Sequence, residues 1–172
     1  MKKRVKYPIY TVLAIILISV TCLGGYYYNI IQKVKSDDPL VWESNIREFE
    51  EKDINFPPPS DSILFIGSSS IKFWSTLSED MNPLPVINRG FGGAKITDVI
   101  HFSPRIVLTY KPKIVVFYAG DNDMSMGKKQ SAKKVLNNYK KFVHLVHSHL
   151  PKTKVYFVSI KPSSNRWEYW RN

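Results

Sequence analysis

The first pattern along the chain is an apolar run from Tyr7 to Tyr28 without one charged residue, preceded by Lys2, Lys3, Arg4 and Lys6. As a helix it would be ~33 Å long, enough to cross the hydrocarbon core of a bilayer. The leading lysines predict a cytoplasmic N-terminus, and Tyr26, Tyr27 and Tyr28 suit the far interface. The remainder is then expected outside the cytoplasm. Gly24 and Gly25 are small, but no A-x-A-like site accompanies them, so a retained anchor is favoured over a cleaved signal. Cys22 follows Ser19, Val20 and Thr21, a poor lipidation box, and reads as an inert apolar cysteine. Residues 29–38 read as a short tether.

Beyond the tether the pattern changes period. Trp42, Ile46 and Phe49 recur at helical spacing among charged residues, which predicts an amphipathic helix over 39–54. Pro57, Pro58 and Pro59 end it. A short apolar run, Ile63-Leu64-Phe65-Ile66, follows and closes at Gly67. Similar runs occur at Val86-Ile87, Lys113 to Ala119 and Val155 to Ile160, with helical stretches between them. Near-continuous apolar strands alternating with helices predict a parallel sheet covered on both faces, a doubly wound α/β fold. Two segments result: 1–35, holding the basic tail, the membrane helix and most of the tether, and 36–172, a single domain.

Composition changes this picture little, and charge changes it more. With 44% hydrophobic residues the chain can bury a core, which excludes a disordered protein. A lone cysteine excludes an intramolecular disulfide and a cysteine zinc site. The net charge of +11 suggests nucleic acid until it is divided. Residues 1–35 carry six basic and no acidic side chains, 36–127 eight against thirteen, and 128–172 eleven against Glu168 alone. Lys128, Lys129, Lys133, Lys134, Lys140 and Lys141 read as a solvated helix face, ahead of a surface for anionic lipid or nucleic acid. No base-stacking pattern accompanies them, so no nucleic-acid partner is expected.

In an open parallel sheet, ligands bind beyond the carboxyl ends of the strands. Three clusters lie there: Gly67-Ser68-Ser69-Ser70, Asn88-Arg89-Gly90-Phe91-Gly92-Gly93, and Gly120-Asp121-Asn122-Asp123. Ser69, on a tight strand-to-helix turn, is placed like a nucleophile, although the three serines could equally cap the helix expected near Ile71. Gly93 lets backbone N–H groups approach an oxyanion or simply makes a turn. Asn122 offers a side-chain amide donor or a turn residue. Phe73, Trp74 and Phe91 could line an acyl pocket or belong to the core.

The segments ILFIGSSSIKFW, VINRGFGGAKITDV and VVFYAGDNDM resemble, in order and spacing, the first three sequence blocks of the SGNH (GDSL-type) hydrolases. The resemblance extends over about residues 39 to 172 and includes SIKPSSNRW. It implies a flavodoxin-like three-layer sandwich and a metal- and cofactor-free serine hydrolase of carboxylic esters, thioesters or acyl groups on lipids and glycans. It makes Ser69 the nucleophile, with Gly93, Asn122 and the Ser69 backbone N–H as oxyanion donors. Ser68 stands where the family usually has an aspartate.

The family's last block, Asp-x-x-His, supplies the histidine that deprotonates the serine. No such motif occurs here. The chain is therefore expected to stop short of the last strand and the catalytic loop, and to be impaired as a catalyst. His101, His144, His147 and His149 do not match the family position, and His144 with His147 is too small a set to predict a metal site. The leading expectation is a membrane-anchored ester hydrolase acting outside the cytoplasm. The alternatives are a non-catalytic ligand-binding module or inactive remnant, and a nucleic-acid-binding helix.

Overall fold

In the computed structural model, described for residues 6–161 and Ser164, the chain divides into two compact units, the second beginning at Val34. The first holds helix α1, Lys6–Lys35, up to Lys33, and the residues of that helix from Ile9 onward are long and apolar enough in sequence to cross a membrane. A signal sequence near an N-terminus meets the same description. The helix outruns the apolar segment: residues 29–35, expected as tether, remain helical because nothing in Asn29-Ile30-Ile31-Gln32 breaks the pattern.

The second unit follows the periodicities. Asp38 accepts the Leu40 N–H at 2.9 Å and starts a 3-10 turn, Pro39–Trp42, that runs into α2, Glu43–Asn55. The elements that follow are β1 Ile63–Gly67, α3 Ser69–Lys72, α4 Leu77–Asp80, β2 Val86–Gly90, α5 Ile96–Ile106, β3 Ile114–Tyr118, α6 Asp121–Ser125, α7 Ala132–His149 and β4 Lys154–Phe157. The strands form one parallel sheet in the order β2-β1-β3-β4. Gly67 at the end of β1 is level with Gly90 and Tyr118, so the first three strands end together.

The two faces of the sheet bury different residues. Leu64, Ile66, Ile87, Val115 and Phe117 point to α2, α5 and α7, where Ile46, Ile96, Val99, Phe102, Ile106, Phe142 and Val146 complete the main core. Ile63, Phe65 and Tyr118 point the other way, to Ile71 and Leu77 of α3 and α4. Helices on both faces make this the doubly wound sandwich. β4 is its thin edge: Tyr156 and Phe157 are about half exposed, Val155 packs against the main core, and Phe157 lays its ring on Tyr139.

Candidate active site

The turn that carries Ser69 is set by Gly67. Its φ of +142° favours glycine, and a Cβ there would lie 1.8 Å from the Tyr118 carbonyl oxygen, so the two strands can meet only with no side chain between them. The chain leaves β1 with the Ser68 N–H donating to the Tyr118 carbonyl at 2.9 Å. Ser69 then opens the single helical turn α3 as its first residue, half-buried, and its hydroxyl makes no hydrogen bond within the described residues. The capping that would explain the serine triplet does not occur: the Ser68 side chain makes no cap bond, and its hydroxyl is buried without a partner, as is that of Tyr118.

The second cluster follows β2. Asn88 is tied in place on both ends of its amide, donating to the Ile71 carbonyl at 2.8 Å and accepting the Gly90 N–H at 2.9 Å. The Phe91 N–H donates to the Gly67 carbonyl, which fastens this loop to the Ser69 turn. Gly93 has φ +89°, and a Cβ on it would fall 2.4 Å from Val34 and 3.2 Å from Trp42. Phe91 is not a pocket residue. It is fully buried between Trp42 and Phe102, because the apolar ring finds the main core while Gly92 and Gly93 keep the surface. Trp74 packs on Phe65 and donates to Asp80, and Phe73 stands exposed.

The third cluster follows β3. Asn122 is buried on α6 and donates its amide to the Ala94 carbonyl at 3.1 Å, one residue beyond Gly93. The fold thus brings Ser69, Gly93 and Asn122 to the same edge of the sheet, on three neighbouring strand ends.

Around Gly93 and Asn122 lies a charged cluster that the sequence did not reveal. Asp98 accepts the Trp42 indole N–H at 3.2 Å and the Lys95 backbone N–H at 2.9 Å. Asp123 accepts the Ile96 N–H. Lys95, only 2% exposed, sends its ammonium 2.7 Å to the Asp37 carboxylate and 2.7 Å to the Ser36 carbonyl. Burial raises the pKa of Asp98 and pushes that of Asp123 up to about 6, in spite of the N–H bonds that favour their charged forms. The hydrogen bond from Lys95 holds the Asp37 carboxyl below its ordinary value. Partners such as Asp37 and Lys95 lie 58 residues apart, so spacing carries no trace of them.

The histidines lie elsewhere. His144, His147 and His149 occupy the second half of α7, which leads into the start of β4 and so lies at the end of the sheet opposite Ser69. His147 bonds the Thr153 carbonyl at 3.0 Å, and His101 is exposed on α5 against Phe102. No group of three metal-ligating side chains occurs among the described residues. A cleft of about 370 Å³ between α2 and the end of α5, lined by Asp53, Arg105 and Tyr110, contains none of the site residues.

No match arises among curated proteins. Among solved structures, the chain is similar to a Streptococcus pneumonia protein provisionally assigned as a platelet activating factor, with 20% identity and a TM-score of 0.63 over 90% of this chain and 66% of that one. A GDSL-like lipase from Bacteroides thetaiotaomicron gives 21% identity and a TM-score of 0.59 over 69% and 60%. A Bacteroides fragilis protein provisionally assigned as an acylhydrolase gives 22% and 0.56 over 66% and 56%. These likenesses bear on the fold, and the chain spans at most about two thirds of each of those proteins. The model of the GDSL-like lipase/acylhydrolase family matches residues 61–172, from the strand before Ser69 onward, and the chain belongs to that family.

Proposed function

We propose that the protein is a serine ester hydrolase held at a membrane by residues 7–28, with its catalytic unit outside the cytoplasm. Ser69 attacks the ester carbonyl. The backbone N–H groups of Ser69 and Gly93 and the side-chain amide of Asn122 receive the oxyanion that forms. Electrostatic stabilisation of this kind needs donors fixed before the reaction, and the observation that carries the reading is the Asn122 amide bonded to Ala94, which ties the Asn122 helix to the Gly93 loop. The Phe91 to Gly67 bond ties that loop in turn to the Ser69 turn.

Collapse of the tetrahedral adduct expels the alcohol and leaves the acyl group on Ser69 Oγ, and water then releases the acid. Both steps need a base. None of the four histidines is bonded to Ser69, and the described carboxylates of the cluster face Trp42, Ile96 and Lys95 instead. A serine without a base retains only the assistance of binding and the oxyanion donors, orders of magnitude below a complete triad. Turnover by this chain alone is therefore expected to be slow and to rise when a base is supplied.

Imidazole added to the full chain with p-nitrophenyl acetate tests this. The rate above that of imidazole alone should vanish in Ser69→Ala, and an equal rate in both proteins would rule out Ser69. That no histidine is bonded to Ser69 among the described residues favours a second reading, a tethered module that binds acylated ligands without cleaving them. It predicts unchanged ligand binding in Ser69→Ala and no Ser69-dependent rate with imidazole.

A further inference from the structure

The segment joining the apolar helix to the catalytic unit is built into the candidate site. Val34 lies against Gly93, and the Lys35 carbonyl is so close to Gly127 that a Cβ there would sit 2.5 Å from it. The buried Lys95 ammonium holds Ser36 and Asp37. Loop 126–131 is therefore fixed beside the end of α1, and it opens the lysine-rich α7, whose helix begins with the Ser131 cap on Lys134. Lys35, Lys128, Lys133 and Lys134 are all exposed.

The acidic groups nearby cancel them only in part. Asp37 is paired with Lys95, and Asp38 keeps its charge while accepting the Leu40 N–H, against the four exposed lysines. Lys128 and Lys134 add to the positive field that Lys95 exerts on Asp37, which puts them on the same side of the unit as the end of α1. From Tyr28, the last residue of the uncharged run, to Lys35 the helix rises only ~10 Å, about one Debye length at physiological salt. Lysines this near a bilayer are attracted to anionic headgroups.

We infer that Lys35, Lys128 and Lys134 form a basic collar at the point where the chain leaves the membrane, and that this collar seats the catalytic unit on anionic lipid headgroups. The inference rests on the membrane reading of residues 7–28 and is independent of hydrolysis. Its consequence is that esters carried by the membrane come within reach of the catalytic unit.

The test uses the full chain reconstituted into phosphatidylcholine vesicles with or without phosphatidylglycerol. An impermeant amine reagent labels exposed lysines, and peptide mass spectrometry counts the label. Labelling of Lys128 and Lys134 should fall about fivefold in the phosphatidylglycerol vesicles and recover at ~1 M salt. Lys113 and Lys152, at the other end of the sheet, should label equally in both. In K128E/K134E the protection of Lys35 should also be lost. Equal labelling of the collar in both vesicles, with the chain floating with the lipid, would overturn the collar and leave the membrane reading standing. A chain that does not float would overturn both. Protection by duplex DNA with none by phosphatidylglycerol would replace lipid by nucleic acid as the partner.

Discussion

The two halves of the candidate site are built to different standards. On the Gly93 and Asn122 side every polar group described above has a partner: Asn122 holds Ala94, Asp98 holds Trp42 and Lys95, and Asp123 holds Ile96. On the Ser69 side a single helical turn carries the proposed nucleophile, and among the described residues the Ser69 hydroxyl is unbonded and the Ser68 and Tyr118 hydroxyls are buried without partners. The proposed oxyanion-binding half is thus held in place by the fold. The proposed nucleophile has no base bonded to it among the described residues, so integrity of the fold and reactivity of the serine are expected to respond to different residues.

Substitutions should separate them. Trp42→Ala removes an indole that is 5% exposed, packs on Phe91 and bonds the buried Asp98, and it should cost ~3–5 kcal/mol in denaturant unfolding. A loss below ~1 kcal/mol would mean that this side is not the rigid half. Asp123→Asn probes the same side through pH. Because burial raises Asp123 to about 6 while the unfolded chain releases the proton near the ordinary value of 3.8, stability is lost as pH rises between those two values and no further above them. Between about pH 4 and pH 6 the wild type should therefore lose stability relative to Asp123→Asn, by up to about 3 kcal/mol, read as a difference in melting temperature, with no further change above about pH 7. Asp98 is raised by burial as well and leaves part of the slope in the variant. Parallel pH profiles would show that Asp123 is charged in the fold at no cost.

On the Ser69 side the expected effects are smaller and of other sign. Ser68→Ala deletes a buried hydroxyl with no partner, and should be neutral or stabilising by ~1 kcal/mol. A clear loss of stability would mean that the hydroxyl is satisfied in solution. Ser69→Ala should move the unfolding free energy by no more than about 0.5 kcal/mol while removing the imidazole-supported turnover.

The sequence made the frame legible where the pattern was dense. The runs at Ile63–Gly67 and Ile114–Tyr118 are uniformly apolar because β1 and β3 are the inner strands of the sheet. β2 extends past its apolar pair to Gly90 because Asn88 and Arg89 satisfy their polar groups on Ile71, Gly90, Tyr110 and Asp53. No rule of local pattern includes such partners. β4 covers Lys154–Phe157, short of the expected Ile160, and among the described residues it pairs with β3 alone. The three strand-end clusters could be found by position, and the family resemblance selected Ser69, Gly93 and Asn122 among their residues. The Lys95, Asp98 and Asp123 cluster could not be found, because its members read locally as ordinary helix-start charges and acquire meaning only through Trp42, Ser36 and Asp37.

The most direct measurement is to expose the full chain to an alkyl fluorophosphonate in the presence of imidazole and to locate the adduct by peptide mass spectrometry. The account predicts phosphonylation of Ser69, absent in Ser69→Ala. An adduct on Ser68 or Ser70, or a yield unchanged by the substitution, would contradict it.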